Sequence, residues 1–363
     1  MTRNTLLLLA FFFLPLSVFS SNTDSIVYKN LIFEGGGLRG LVYCGAIIEL
    51  EHQGVLKNIE RVCGTSSGAI YAMLLALGYN SEEIKKITYN TNIRKFNDNR
   101  FLFIGGIKRL KNNYGWYRGE VIKKYFHRLI ENKTGNGDIT LKELHENKAE
   151  YGNKDLYVIA TCLNHQKEII ISHETFPMMK VKDAVRASMS IPLYYKAVVI
   201  NNSGLEIKKY NKIDSLHLLV DGGLTINFPL HIFDDEKYLT PHKVDKNSTE
   251  KNIIYNYETL GLIIETDEQI EYDKLNKGLA PHTISNFKDY IIAFYNLTLE
   301  TLNKKHLTQK DWNRIILLSA TDIGPKPKGI PDKDKDKLIN SGIQGVKNFL
   351  NHMYELPEQT PNP

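Results

Sequence analysis

The fold of this chain is decided by one stretch, Arg61-Val62-Cys63-Gly64-Thr65-Ser66-Ser67-Gly68-Ala69-Ile70. Its centre, from Gly64 to Gly68, has the pattern G-x-S-x-G. An apolar-leaning run at residues 59–63 predicts a strand before the pattern, and residues 69–77 predict a helix after it. In this context the pattern is typical of a nucleophile elbow, a sharp turn that exposes the hydroxyl of Ser66. The alternative is an ordinary strand-to-helix turn in which Ser66 only caps the helix.

The two glycines of the elbow, Gly64 and Gly68, have a steric role in this prediction. A side chain at either position would clash where the strand and the helix close on each other. Ser66 would then stand at the carboxyl end of a strand, with the positive end of a helix beneath it.

A second glycine-rich turn, Glu34-Gly35-Gly36-Gly37-Leu38-Arg39-Gly40, lies between a strand predicted at residues 26–33 and a helix predicted from residue 41. Consecutive glycines before a helix expose backbone N–H groups, which can stabilise the oxyanion formed when a hydroxyl attacks an ester carbonyl. The candidate oxyanion-hole donors are Gly36, Gly37 and Arg39. The same residues also satisfy G-x-G-x-x-G, so a dinucleotide site is the rival interpretation.

Composition narrows the class of protein. The chain has 363 residues, 42% of them apolar and 24% charged, which is ordinary for a globular protein with a sizeable core. The net charge of +5 is too small and too dispersed to indicate nucleic acid as a partner. The three cysteines, Cys44, Cys63 and Cys162, are widely spaced, so the sequence predicts neither a disulfide framework nor a metal site.

The N-terminus and one internal segment indicate where the chain works. Residues 1–20 are typical of a signal peptide, with an apolar core too short to span a bilayer and small residues before a cleavage point at Ser20. The expected location is therefore secreted or periplasmic; an uncleaved membrane anchor is the alternative. Residues 85–128 interleave basic and aromatic residues, which suits peripheral contact with an anionic membrane. A solvated face with aromatic residues turned inward explains that segment equally well.

The later part of the chain alternates predicted strands and helices. Strands are predicted at residues 155–163, 167–173, 216–220, 260–265 and 312–319, with helices at residues 181–189, 284–302 and 334–354. The strand at 216–220 delivers Asp221-Gly222-Gly223, where a carboxylate at a strand end is a plausible catalytic position. We predict one α/β domain with a mostly parallel central sheet sandwiched by helices, in a three-layer arrangement. Its predicted bounds are residues 29–354, with a disordered tail at 355–363.

With these blocks in view, the chain resembles the patatin-like phospholipase family. The resemblance covers a motif core at residues 31–230, and more weakly a closing loop and helix at residues 321–354. The C-terminal strands and helices of the predicted domain span residues 255–354. The matching blocks occur in family order: Gly35–Gly40 as the oxyanion loop, Gly64–Gly68 as the elbow, Asp221–Gly223 with Asn227 and Pro229 as the aspartate block, and residues 114–120 and 186–192 as secondary blocks.

The resemblance implies a lipid acyl hydrolase of the phospholipase A or lysophospholipase type. Ser66 would attack the acyl carbonyl and Asp221 would activate it as a Ser-Asp dyad, without metal or organic cofactor. A membrane phospholipid or another acyl-ester lipid is the implied substrate, and the need for an activator stays open. A free carboxylate is a weak base, so burial would have to raise the pKa of Asp221.

Several alternatives remain at this stage. A hidden triad could use His217 or His231, which flank the aspartate block. The chain could also bind nucleotide or lipid without turnover, or use the same dyad as an acyltransferase. Two departures from the family pattern stand out: the oxyanion loop begins with Glu34, and a polar insert at residues 201–215 delays Asp221.

Overall fold

We describe the protein from a computed structural model, which describes residues 26–98, 104–210, 215–240, 254–275, 277–285, 290, 293–294, 297, 307–321 and 330–355. The predicted signal peptide lies outside these ranges, as do most of the helix predicted at residues 284–302 and the tail beyond residue 355. No helix within the described ranges combines the length and the apolar character that a membrane crossing needs.

Ten strands and nine α-helices make up the described fold. The strands are β1 (Asn30–Phe33), β2 (Arg61–Thr65), β3 (Gly115–Tyr117), β4 (Asp155–Cys162), β5 (Lys167–Ile171), β6 (Leu193–Tyr195), β7 (Val198–Ile200), β8 (His217–Asp221), β9 (Thr259–Glu265) and β10 (Ile315–Ser319). The helices are α1 (Val42–His52), α2 (Ser67–Ala76), α3 (Ser81–Asn90), α4 (Ile104–Asn113), α5 (Glu120–Thr134), α6 (Leu141–Glu146), α7 (Val181–Ser188), α8 (Asp267–Lys274) and α9 (Asp332–Glu355).

The central sheet has eight strands in the order β10-β9-β1-β2-β4-β8-β7, with β5 also paired to β4. The five strands from β10 to β4 run parallel, whereas β5, β8 and β7 join by antiparallel pairing. β3 and β6 form a separate two-stranded parallel sheet. The prediction of a single α/β domain with a mostly parallel sheet is confirmed.

Both faces of the sheet are covered, which explains why its strands read as near-continuous apolar runs. Leu31 and Phe33 of β1 point into the larger core, which they share with the buried sides of α1, α2 and α9. Ile32, between them, faces the opposite side and packs in a smaller core with Phe228 and Phe233. Among the described residues, this second face is covered by 3-10 turns at Leu230–Phe233 and Glu236–Tyr238.

Two strands, β1 and β10, begin three or more residues later than predicted. β1 starts at Asn30, because Ile26 and Val27 before it are exposed. β10 starts at Ile315 because Asp311–Arg314 forms a 3-10 turn instead of the predicted strand. That turn is held by the buried Arg314, which donates to Asp311 and to Asp234. A buried ion pair of this kind outweighs the strand propensity of the local sequence.

Candidate active site

The predicted elbow lies between β2 and α2, with Ser66 between the two elements. Ser66 has φ 52° and ψ −119°, a conformation that L-residues rarely adopt. A Cβ on Gly64 would lie 2.3 Å from the carbonyl carbon of Gly68, and one on Gly68 would lie 2.5 Å from the carbonyl oxygen of Phe33. The steric reason given for these two glycines is therefore present in the structure.

The two strands that deliver Ser66 and Asp221 approach each other end to end. β5 occupies one edge of β4, where it pairs with Val158–Cys162. The same part of β4 also pairs with β2 and with β8. β2 and β8 therefore share the other edge of β4, one parallel to it and one antiparallel. Thr65 pairs with Ile159, and Asp221 pairs with the next residue, Ala160. The carboxyl ends of both strands consequently meet at one point.

At this junction the Ser66 hydroxyl donates a hydrogen bond to Asp221 Oδ2 over 2.7 Å. Asp221 is fully buried, and its Oδ1 accepts from the Gly223 N–H over 2.9 Å. Burial raises the pKa of Asp221 from 3.8 to about 6, although the hydrogen bonds from Ser66 and Gly223 oppose the shift. A carboxyl with this pKa can accept a proton near neutral pH more readily than an exposed one.

The backbone of Asp221 is also fixed on both sides. Its N–H donates to the Ser190 carbonyl over 2.9 Å, and its carbonyl accepts from the Thr161 hydroxyl over 2.9 Å. Gly222 follows without a side chain because a Cβ there would lie 2.4 Å from the Ile159 carbonyl oxygen. The carboxylate therefore has little freedom to leave Ser66.

The three predicted oxyanion donors differ in their present hydrogen bonds. The Gly36 N–H donates to Ser67 Oγ over 2.9 Å, and the Arg39 N–H donates to the Gly36 carbonyl over 3.1 Å. Gly37 is exposed, has φ +56°, and its N–H has no hydrogen-bond partner among the described residues. Gly37 is thus the donor most available to an incoming carbonyl oxygen.

Glu34 and Asn227 hold the glycine loop against the sheet. Asn227 Nδ2 donates to the Gly35 carbonyl over 2.9 Å and to Glu34 Oε1 over 3.1 Å. The Gly35 N–H donates back to the Asn227 carbonyl, and Glu34 Oε2 accepts from the Ile264 N–H on β9. The departure from the family pattern at Glu34 therefore has a structural use, because its carboxylate connects the loop to two other segments.

These hydrogen bonds weigh against the dinucleotide interpretation of the loop. A pyrophosphate is bound by free backbone N–H groups at a helix N-terminus. Here the N–H groups of Gly35 and Gly36 are used by Asn227 and Ser67.

The histidines of the alternative triad lie elsewhere. His217 is the first residue of β8, at the opposite end of that strand from Asp221, and it contacts Cys162 and Asn202. His231 forms an ion pair with Asp234. The described partner of the Ser66 hydroxyl is Asp221.

Ser188 and Arg186 belong to the site, although the sequence indicated them only as part of a secondary block. Ser188 Oγ accepts from the Ser66 N–H over 2.8 Å. Arg186 is buried and donates to Ser190 Oγ and to the carbonyl oxygens of Gly119, Arg118 and Lys196. It thereby links both secondary blocks, at residues 114–120 and 186–192, to the backbone beside the dyad. The sequence indicated these two blocks by their residues and order along the chain. It did not predict that they lie beside Ser66.

Within the described part of the chain, two clusters of possible metal ligands lie outside this site, one of Cys162, His165 and His217 and one of His145, Asp155 and His173. In the second, Lys148 Nζ already lies 2.8 Å from Asp155, and the two imidazole rings stack at 3.7 Å. The ammonium group of Lys148 therefore already supplies the positive charge beside Asp155.

Comparison with known proteins shows the family of this chain. A family model described as "Patatin-like phospholipase" matches residues 31–234, more than half of the chain. The chain belongs to the patatin-like phospholipase family, which assigns it to the lipid ester hydrolases.

Individual relatives are more distant. The "Uncharacterized protein R571" of Acanthamoeba polyphaga mimivirus is 27% identical over 332 residues, covering 89% of this chain and 95% of that protein. The "Probable lipid hydrolase 463L" of Invertebrate iridescent virus 6 is 30% identical over 207 residues, covering 56% of this chain and 63% of that protein. Among solved structures, VipD from Legionella pneumophila aligns with a TM-score of 0.49 at 17% identity, covering 90% of this chain and 67% of that one.

Proposed function

We propose that this protein cleaves carboxylic ester bonds of membrane lipids, as a phospholipase A or lysophospholipase, through a dyad of Ser66 and Asp221. The observation that carries the proposal is the 2.7 Å hydrogen bond from the Ser66 hydroxyl to a fully buried carboxylate. Family membership supports the substrate class, and the strained backbone of Ser66 supports its role as the nucleophile.

The chemistry follows from the proton that Ser66 already shares with Asp221. As Ser66 Oγ attacks the acyl carbonyl carbon, its proton moves to Asp221 Oδ2, and the carbonyl oxygen becomes an oxyanion. The Gly37 N–H is the first donor to that oxygen, with Gly36 and Arg39 contributing if their present hydrogen bonds rearrange. Collapse of the intermediate expels the alcohol part of the lipid, which takes the proton from Asp221. Water then repeats the sequence on the acyl-enzyme and releases the fatty acid.

Contact with a lipid surface is supported by exposed apolar residues that follow the block containing Ser188, which contacts Ser66. Leu193 of β6 is 68% exposed and Tyr194 is 40% exposed, directly after the block that contains Ser188 and Ser190. Exposed aromatic and aliphatic side chains of this kind insert into the boundary between head groups and acyl chains.

Basic residues on a neighbouring element add to this surface. α4 packs beside β3, which pairs with β6, and it carries the exposed Ile107, Lys108 and Lys111. Lysines beside apolar residues favour anionic membranes. The substrate-bearing surface that we propose is therefore an anionic phospholipid bilayer or micelle.

Residues 1–20 support delivery of the protein out of the cytosol, to the periplasm or the medium. The N-terminal sequence of protein recovered from the native host tests this: the expected chain begins just after residue 20. A chain that keeps residues 1–20 and stays in the cytosol would contradict it.

The deciding experiment is fatty-acid release from mixed phospholipid vesicles by the wild type and by Ser66→Ala. We expect release by the wild type, loss of at least about a thousandfold in the variant, and fluorophosphonate labelling of Ser66 alone. Ser203→Ala, at an exposed serine in the loop between β7 and β8, is the matched control and should keep full activity.

Three outcomes separate the alternatives. Folded wild type that neither labels nor releases fatty acid would indicate a binding protein. Acyl transfer to an added alcohol in preference to water would indicate an acyltransferase with the same dyad. Release that survives Ser66→Ala would remove Ser66 as the nucleophile.

A further inference from the structure

A cysteine and two histidines converge at the end of the sheet that is remote from Asp221 along β8. Cys162 is the last residue of β4, His165 lies in the turn to β5, and His217 is the first residue of β8. Cys162 Sγ lies 3.3 Å from His165 Nδ1 and 3.7 Å from His217 Nδ1. One ligand atom from each residue lies within 4.8 Å of the other two.

These separations match those between the ligands of a tetrahedral metal ion. Zinc binds sulfur at about 2.3 Å and imidazole nitrogen at about 2.0–2.1 Å. Two such ligands at the tetrahedral angle lie about 3.6 Å apart. The two sulfur–nitrogen distances, 3.3 and 3.7 Å, fall on either side of that value. Both sulfur–nitrogen distances therefore lie within a few tenths of an ångström of the spacing that the ion needs, and the ligand atoms of the two histidines lie within 4.8 Å of each other.

The outer nitrogen of His217 has an oxygen partner. His217 Nε2 lies 3.1 Å from Asn202 Oδ1, an amide oxygen that accepts hydrogen bonds. The tautomer with its hydrogen on Nε2 satisfies this contact and leaves the lone pair of Nδ1 directed towards the sulfur. A metal-bound histidine is oriented in the same way, by donating its other N–H to an oxygen outside the ligand set.

Three polar atoms surround the sulfur. Cys162 Sγ has one proton to donate, and His165 Nδ1, His217 Nδ1 and Asn164 Oδ1 all lie within 3.7 Å of it. Asn164 cannot retreat, because its side chain also binds the backbone of Leu216 and Leu218. A cation at the centre would satisfy both imidazole nitrogens and the sulfur at once.

We propose that Cys162, His165 and His217 bind one divalent metal ion of the zinc class, with water as a fourth ligand. Binding forms three bonds from the metal to Sγ and the two Nδ1 atoms, and releases the thiol proton to solvent. Cys162 is buried and His165 is exposed, so the water lies on the solvent side, beside His165. Thiolate and imidazole ligands favour Zn²⁺ over Mg²⁺ or Ca²⁺, which bind oxygen.

The role of this ion is to stabilise the fold. It connects β4, the turn after it and the start of β8, all of which contribute to the position of Asp221. Asp221 is the fourth residue beyond His217, or about 13 Å along an extended strand, so the ion does not reach the dyad. The sequence predicted no metal site because two of the ligands, Cys162 and His165, are far from His217 along the chain.

The test uses the full-length protein, stripped of metal with a chelator and titrated with Co²⁺. We expect one equivalent to produce a thiolate-to-cobalt charge-transfer band and the intense visible bands of tetrahedral Co²⁺, both removed by competing Zn²⁺. Cys162→Ala should abolish the charge-transfer band. His165→Ala, at an exposed position, should weaken Co²⁺ binding at least about a hundredfold.

Two controls keep the proposal open to refutation. His145→Ala removes a histidine from the other cluster and should bind Co²⁺ as the wild type does. Zn²⁺ should raise the thermal midpoint of the wild type and of Ser66→Ala equally, but not that of His165→Ala. A folded wild type with no charge-transfer band would overturn the proposal, and so would a band that persists in Cys162→Ala. Neither result depends on the lipid substrate.

Discussion

Two opposing effects act on the pKa of Asp221. Complete burial disfavours the charged carboxylate, whereas the Ser66 hydroxyl and the Gly223 N–H both donate to it and favour the charge. Burial is the larger effect and raises the pKa to about 6. The group is therefore charged and able to accept a proton at neutral pH, yet basic enough to compete for the proton of Ser66.

The first prediction concerns the pH dependence of activity. Because Asp221 must be deprotonated to accept the proton of Ser66, kcat/KM for a soluble ester should rise about tenfold per pH unit up to an apparent pKa of about 6. Asp138→Asn, at a partly exposed ion pair with Lys180 and Lys182, should give the same profile. A rise of kcat/KM centred near pH 4 would show that burial does not raise the pKa of Asp221. Values of kcat/KM that do not change with pH would show that Asp221 is not the base.

The second prediction concerns stability. The folded state holds the Asp221 proton more tightly than the unfolded state, where the pKa is near 3.8. This contribution to stability is complete below about pH 4 and is lost as pH rises through about 6. Asp221→Asn, which stays neutral, should therefore raise the free energy of unfolding at pH 8 by on the order of 3 kcal/mol.

Urea denaturation at pH 4, 6 and 8 measures this difference, which should shrink towards zero at pH 4. The comparison variant is Asp138→Asn, because Lys182 and Lys180 lower the pKa of Asp138 to about 2. Asp138→Asn should have the opposite effect, a loss of stability. That loss develops between about pH 2 and pH 4 and is complete above pH 4. Equal effects of the two variants at every pH would contradict the assignment of the raised pKa.

At the scale of elements, the glycine loop is positioned by Asn227, which contributes both its side chain and its backbone. Asn227→Ala removes the amide group that donates to Glu34 and to the Gly35 carbonyl. The loss of these buried hydrogen bonds should lower the free energy of unfolding by about 1–3 kcal/mol. We predict that kcat falls further than this instability explains, by about 10–100-fold, because the Gly37 N–H is displaced from the reacting oxygen.

Chemical denaturation and steady-state kinetics on the same preparation separate the two effects of Asn227→Ala. Thr240→Ala is a suitable control, since Thr240 binds Glu258 at the start of β9 and not the loop. The prediction fails if kcat is unchanged once the folded fraction is taken into account.

The fourth prediction concerns β6 and its exposed side chains. Leu193 has φ +66°, a conformation that asparagine tolerates better than leucine, so Leu193→Asn should fold without loss. We expect this change to weaken co-sedimentation with anionic phospholipid vesicles several-fold, while hydrolysis of a soluble ester stays constant. Leu205→Asn, at a leucine 48% exposed between β7 and β8, is the control. Equal vesicle binding by all three proteins would exclude β6 from the membrane contact.

At the scale of the whole molecule, the position of the glycine loop at residues 35–40 depends on the C-terminal helix α9. α1 follows the glycine loop, and α9 packs directly on α1 with one glycine of each helix at close backbone contacts. A Cβ on Gly45 would lie 1.8 Å from the Ile339 carbonyl oxygen, and one on Gly342 would lie 2.1 Å from that of Val42. Both neighbours are backbone atoms, so neither helix can make room by turning a side chain.

The fifth prediction is that Gly342→Ala destabilises the protein by about 1–3 kcal/mol, because α9 must move away from α1. Adding Gly45→Ala should cost less than the sum of the two single changes, since the first has already opened the same contact. Asn340→Ala, on the exposed side of α9, should change stability by less than about 0.5 kcal/mol. Full additivity in urea denaturation would mean that the two glycines do not share one contact.

Much of this architecture was predictable because it depends on local sequence. Apolar runs located β2, β4, β8 and β9 to within one or two residues, and the G-x-S-x-G pattern predicted the sharp turn at Ser66. The chain next to each element supplies these signals, through side-chain periodicity and the need for glycine at close approaches. The placement of Asp221 at a strand end followed in the same way.

The rest was decided by contacts between distant parts of the chain. The sequence does not reveal that β8 runs antiparallel to β4 and meets β2 end to end, because strand direction depends on pairing and not on the strand's own residues. The same holds for Arg186, whose partners lie in two blocks. It also holds for Cys162 and His217, which the pairing of β4 with β8 brings together. The sequence determined which residues could do chemistry; the tertiary structure decided which of them meet.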